Sequence, residues 1–206
     1  MAPGTMSLTD TDRLEAFSDG VMAVIITIMA FEVRPPGGPS LEALHHDLPH
    51  LLVYVLSFAI VGIYWNNHHH LLRVTERISG SVMWANLHLL FWLSLLPIVT
   101  GWIGTFPVHS LPAASYGVVG LGSAVAYWVL VRRIIHANGS DSAVARGVGS
   151  DLKGNLSLVL YLAGIGVAVA SPVASYALYA AVALMWFVPD RRLVATASPP
   201  EEATSP

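Results

Sequence analysis

The sequence predicts an all-α integral membrane protein, and three observations predict it: the scarcity of charge, the mean hydropathy and the length of the charge-free runs. Of 206 residues, 54% are hydrophobic and 11% charged, against about 25% charged in an ordinary soluble domain. The mean hydropathy is +0.62. So few charges cannot cover a soluble globule, which excludes an ordinary cytosolic enzyme and makes a multi-span membrane protein the default. The formal net charge is −3 and the 10 basic residues are scattered, so no footprint for nucleic acid exists. The absence of cysteine excludes disulfides and Cys-ligated metals.

The runs 48–72, 78–131 and 154–189 contain no Asp, Glu, Lys or Arg. A helix rises about 1.5 Å per residue and needs about 20 apolar residues to cross the hydrocarbon. The first run therefore holds one span, 48–72. The second holds two, 79–104 and 112–133, parted by the Gly, Pro and Ser punctuation from Gly104 to Pro112. The third holds two shorter spans, 154–171 and 173–189, hinged at Ser171-Pro172 because proline disfavours helix in the residue before it. A helix over 11–33 brings the predicted count to six, in a single membrane domain over 1–190.

The first helix is unusual. Arg13, Glu15 and Asp19 lie on its opening turns, and Pro35-Pro36-Gly37-Gly38-Pro39 ends it. A charge near the bilayer centre costs about 3 kcal/mol or more, so this helix is expected inside the bundle, shielded from lipid. Acidic residues precede it and no small-residue cleavage site follows, so it does not read as a signal peptide. With the N-terminus inside, nine basic residues fall on cytoplasmic segments and Arg34 alone falls outside. That bias predicts a multi-pass protein of the cell membrane with both termini cytoplasmic. Gly139–Gly149 reads as a flexible cytoplasmic loop, and 191–206, ending in an Ala-, Ser-, Thr-, Pro- and Glu-rich stretch, as a disordered cytoplasmic tail.

Opposed helix directions bring polar residues to one layer in the inner third. Arg13, Ser18 and Asp19 come from helix 1, His68, His69 and His70 from helix 2, and Asn86 and His88 from helix 3. The simplest reading is a hydrogen-bonded network that holds helix 1 in register, since buried polar groups in lipid are nearly always paired. A metal site is the sharper alternative. Adjacent helical residues point about 100° apart, so at most two of the three consecutive histidines face one ion, and there is no HExxH motif. No metal and no cofactor are therefore expected. Haem ligation lacks a second pair of histidines, and Ser18 lacks a nucleophile elbow and an assigned base. Ser115-Tyr116-Gly117-Val118-Val119-Gly120 superficially resembles a potassium filter, but it lacks the TVGYG order and a pore helix. Its small residues read as helix packing.

On the wheel of helix 1, Arg13, Phe17, Gly20, Val24, Thr27, Ile28 and Phe31 share one face, and Asp19, Ala23, Ile26 and Ala30 another. Two buried faces of a central helix explain this, as does an apolar stripe lining a path on a symmetry axis.

Arg13-Leu14-Glu15-Ala16-Phe17-Ser18-Asp19 carries the RxxxFSD signature, and here the chain resembles the transmembrane protein 175 family of endosomal and lysosomal potassium channels and their bacterial relatives. The likeness continues at Tyr64-Trp65, His68, His69, Asn86-Leu87 and Leu95-Leu96-Pro97 through Thr100, within the first hundred residues. The resemblance implies a homotetramer around four copies of helix 1. It implies a hydrophobic constriction at Val24, with further pore layers at Thr27, Ile28 and Phe31, and a structural network of Arg13, Phe17, Ser18, Asp19, His68, His69 and Asn86. Valine is shorter than the Ile or Leu usual at that position, and Phe31 is bulky for an outer layer.

The expected function is a potassium-permeable channel with modest preference for K+ over Na+ and no enzymatic activity. Its partners are its own copies, the bilayer and K+ ions. A proton-linked secondary transporter using Asp19 and the histidine layer is the alternative, against which stands the absence of internal repeats and broken helices. A non-conducting scaffold or haem protein is the third class.

Overall fold

The structure, a computed structural model, describes residues 10–33, 35–148 and 152–187. Among them there is no strand. The helices are α1 (Asp10–Glu32), α2 (Leu41–Arg73), α3 (Gly80–Ser94), α4 (Leu96–Thr105), α5 (Ser110–Asn138), α6 (Ala143–Val148), α7 (Leu152–Val167) and α8 (Pro172–Phe187). Arg34, Arg191, Arg192 and the expected tail 191–206 lie outside the described residues.

Four helical stretches are long and apolar enough to cross a membrane: Asp10–Glu32, Leu41–Arg73, Gly80–Thr105 and Ser110–Asn138. α7 and α8 are shorter apolar helices of 16 residues each, about 24 Å at helical rise.

Three elements depart from expectation. α2 begins at Leu41, not residue 48, because Ser40 caps it: its hydroxyl accepts from the Ala43 amide at 3.2 Å. The Glu42 and Asp47 charges mask this polar extension in a hydropathy reading. Pro49 lies inside α2, where its ring and missing N–H disturb the bond to the His45 carbonyl without ending the helix. The third span is jointed at Leu95, since Pro97 opens α4 and cannot donate back to Leu93; the Leu95 amide bonds Trp92 at 3.2 Å. Finally, the loop expected over Gly139–Gly149 contains α6. Gly139, at φ 96°, closes α5 through its amide on the Ile135 carbonyl at 2.8 Å. The Ser142 hydroxyl then accepts from the Ala145 amide, and the Arg146 guanidinium donates to the Asp141 carbonyl.

α5 is the hub, packed against α3, α4, α7 and α8, while α1 lies against α2, α3 and α4. Tyrosines fill notches left by glycine. A Cβ on Gly117 would stand 2.1 Å from the Tyr179 hydroxyl, and one on Gly120 2.4 Å from the Tyr161 ring. The stretch that superficially resembles a filter is thus the seat of two buried rings, their centroids 5.7 Å apart and their planes tilted by 30°. A hydroxyl cluster joins three helices nearby. Ser57 Oγ of α2 lies 2.7 Å from Thr100 Oγ1 of α4 and 2.9 Å from Tyr116 Oη of α5. Such bonds satisfy polar groups that lipid cannot.

Candidate functional site: helix α1 and its polar anchor

α1 turns one stripe into the bundle. Leu14, Ser18, Met22, Ile25 and Met29 are buried, at the three- and four-residue steps of a single helix face. Within the single chain, that one packed stripe puts α1 at the edge of the bundle. The opposite face is open. Phe17 is 51% exposed, Val24 54%, Ile28 45% and Phe31 87%, with Gly20 and Thr27 exposed between them. The four residues expected to line a pore, Val24, Thr27, Ile28 and Phe31, therefore share one uncovered apolar face. The Thr27 hydroxyl donates to the Val24 carbonyl at 2.8 Å, which leaves its oxygen as an acceptor on that face.

On the packed side, the hydrogen bonds have a direction. Ser18 donates its proton to the Leu14 carbonyl at 2.8 Å, so its oxygen accepts from the Asn86 carboxamide nitrogen at 2.9 Å. That orientation turns the Asn86 oxygen toward His68 Nε2, 2.7 Å away. His68 must then donate, which places a proton on its Nε2. Its Nδ1 is enclosed and has no hydrogen-bond partner among the described residues. All three side chains are fully buried, so the layer links α1, α3 and α2 through one continuous chain of donors.

The other expected members stand apart from that chain. His69 Nδ1 meets Glu15 Oε1 at 2.5 Å, a second tie between α2 and α1, and its ring stacks on Trp65 at 6.0 Å. Asp19 is half-buried, and its Oδ1 is enclosed without a hydrogen bond among the described residues. Arg13 and Phe17 are exposed and line a groove between α1 and α3 with Met83 and Leu87. Sequence reading left Glu15 out of the network. Its signal was its place three residues before Ser18 and four before Asp19, on the same side of the helix. The three consecutive histidines diverge: His68 goes to Asn86 and His69 to Glu15. Among the described residues no group of three or more His, Cys, Asp or Glu converges as a metal site.

This arrangement can hold one face of a helix rigid while presenting the other, apolar and uncovered. Comparison with known proteins gives it a context. Residues 13–97 match the family model described as endosomal/lysosomal potassium channel TMEM175. A protein named as a potassium channel from Chryseobacterium sp. (strain P1-3) is 48% identical over 88% of this chain and 94% of its own. The endosomal/lysosomal proton channel TMEM175 of Danio rerio is 31% identical over 52% of this chain and 22% of its own. The crystal structure described as a lysosomal potassium-selective channel TMEM175 homolog from Chamaesiphon minutus has the same fold. It superposes with a TM-score of 0.76 at 24% identity, covering 89% of this chain and 99% of that one. The chain is therefore a multi-pass, all-helical membrane protein, and it belongs to the TMEM175 family.

Proposed function

We propose that this protein is a cation channel subunit, permeable to K+ with modest preference over Na+, that assembles as a homotetramer around four copies of α1. The observation that carries this reading is the uncovered stripe from Phe17 to Phe31, standing back to back with the buried Ser18–Asn86–His68 chain. The resemblance to relatives named as potassium channels supports it. Six spans, with α7 and α8 as a short final pair, an inside location for both termini and residence in the cell membrane belong to the same proposal. So does the single channel domain over 1–190, with the cytoplasmic tail over 191–206.

In this reading four Val24 side chains form the constriction. An apolar ring gates by dewetting, because an ion entering it gives up water and finds no carbonyl in return. Na+ holds its hydration shell more tightly than K+ and meets the higher barrier. Thr27, one turn on, presents its hydroxyl oxygen as a partial replacement ligand. Ile28 and Phe31 extend the path outward. Arg13, Phe17, Ser18, Asp19, His68, His69 and Asn86 serve as the anchor that keeps the ring in register, Arg13 and Phe17 doing so against neighbouring copies.

Potassium and sodium flux into vesicles holding purified protein tests the reading. K+ flux exceeding Na+ flux, with the difference reduced in Val24→Asn, is the expected result; no flux from well-folded protein in either form overturns it. The enclosed Asp19 Oδ1 and His68 Nδ1 favour one second reading, a proton-linked secondary transporter working through that layer. Loss of all flux in a correctly assembled Asp19→Asn protein would favour it over the channel.

A further inference from the structure

A cavity of about 50 Å³ lies between α2, α5, α7 and α8, and two polar helix faces line it. Tyr64 and Asn67 stand three residues apart on α2, and Ser157 and Tyr161 four apart on α7. Those steps put both members of each pair on one face of their helix. α7 packs chiefly against α5 and α8, so its polar face meets that of α2 across the cavity. Among the described residues no hydrogen bond joins these four side chains directly.

Hydrogen bonding within the lining is incomplete. Tyr161 is 2% exposed, and its hydroxyl makes no hydrogen bond among the described residues; nor does that of Tyr64. The Ser157 hydroxyl donates to the Lys153 carbonyl at 2.8 Å and accepts from Trp186 Nε1 at 2.8 Å, which leaves its oxygen one lone pair. Asn67 gives one amide hydrogen to the Ile63 carbonyl at 2.9 Å, which leaves the other hydrogen and the carboxamide oxygen. The lining thus offers donors and acceptors together. A phenol buried in a membrane protein is destabilising unless a partner reaches it, because hydrocarbon supplies none.

Size and position select that partner. The cavity exceeds the roughly 10–15 Å³ that one water needs and is well short of the ~150 Å³ that admits a molecule the size of benzene. Ser157 lies five residues into α7, Asn67 six before the Arg73 end of α2, and Trp186 next to the last residue of α8. All three are therefore within about 9 Å of a helix end, at a rise of about 1.5 Å per residue. We propose that the cavity is a binding site for a cluster of ordered water molecules. They accept from the Tyr64 and Tyr161 hydroxyls, donate to the Ser157 and Asn67 oxygens, and so bridge the α7–α8 pair to α2.

Radiolytic footprinting of the full-length protein in micelles, read by mass spectrometry, tests this, because hydroxyl radicals formed from a bound water modify the side chain beside it whatever its exposure. Tyr161 should be modified. Tyr116 and Tyr179, both 0% exposed with their hydroxyls on Ser57 and the Ala113 carbonyl, should not be, and they serve as the internal control. Ala183→Leu fills the cavity from α8 and should abolish modification at Tyr161. Ala124→Val fills it from α5 by a milder change and stands in should Ala183→Leu fail to fold. A wild-type Tyr161 as silent as Tyr179 overturns the proposal and leaves the cavity dry or filled by an acyl chain. Modification that persists at Tyr161 in a folded, filled variant overturns it too, since the radical then comes from bulk solvent.

Discussion

The Asn86 carboxamide nitrogen donates to the Ser18 hydroxyl oxygen at 2.9 Å, across the contact between α3 and α1. Because the Ser18 proton is committed to the Leu14 carbonyl, the pair has a single workable orientation, and His68 completes it. Asn86→Leu strands both Ser18 and His68 in a buried setting, at about 1–3 kcal/mol for each unsatisfied group, less if the loosened protein finds other partners in lipid. The mutant should unfold at lower temperature or denaturant, and adding His68→Phe should cost less than the sum of the two changes. Strict additivity would mean that the three side chains do not act as one layer.

Asp19 lies beside this layer without joining its hydrogen bonds. Asp19→Asn keeps its shape and removes its charge. It should therefore reduce the yield of assembled protein while leaving K+ flux per assembled particle within about twofold of wild type. Quantifying flux against assembled protein on a sizing column separates this from the transporter reading, in which flux per particle vanishes.

Thr27→Val is nearly isosteric and falls on an exposed face, so folding stability should stay within about 0.5 kcal/mol of wild type. The hydroxyl oxygen is lost, however. K+ conductance should fall and the preference for K+ should narrow, as read by single-channel recording in symmetric and mixed salt.

Gly120→Ala forces a Cβ to within 2.4 Å of the Tyr161 ring and should destabilise by about 1–3 kcal/mol through overpacking. Gly166→Ala, where a Cβ meets nothing within 4 Å, should be neutral or slightly stabilising because alanine favours helix. Thermal unfolding of the two variants side by side checks the tyrosine notches directly.

The sequence made the membrane class legible through the charge-free runs, and the ends of most helices through Gly, Pro and Ser. Its failures have physical causes. Leu41–Asp47 is helical because Ser40 caps it, but its charges look like loop in a search for apolar runs. Pro97 sits in an unbroken apolar stretch, so hydropathy is blind to the joint at Leu95. In the site, Ser18 and Asn86 were legible as polar residues at one depth, whereas the Glu15–His69 pair depends on how α1 and α2 are rotated against each other. A wheel gives the angle between residues of one helix and says nothing about the facing helix. For the same reason it could not tell which stripe of α1 would be packed. Met22 and Val24 are both apolar, yet one is 1% exposed and the other 54%.

That contrast leads to the central claim, that the Val24 face of α1 lines an ion path. The reversal potential under bi-ionic conditions, K+ on one side of a bilayer and Na+ on the other, tests it most directly in wild type and Val24→Asn. The account predicts a wild-type reversal potential displaced toward that of K+, and a shift toward zero with larger current in the variant, as four amides hydrate the ring. An identical reversal potential and current in the two proteins would contradict it and remove α1 from the path.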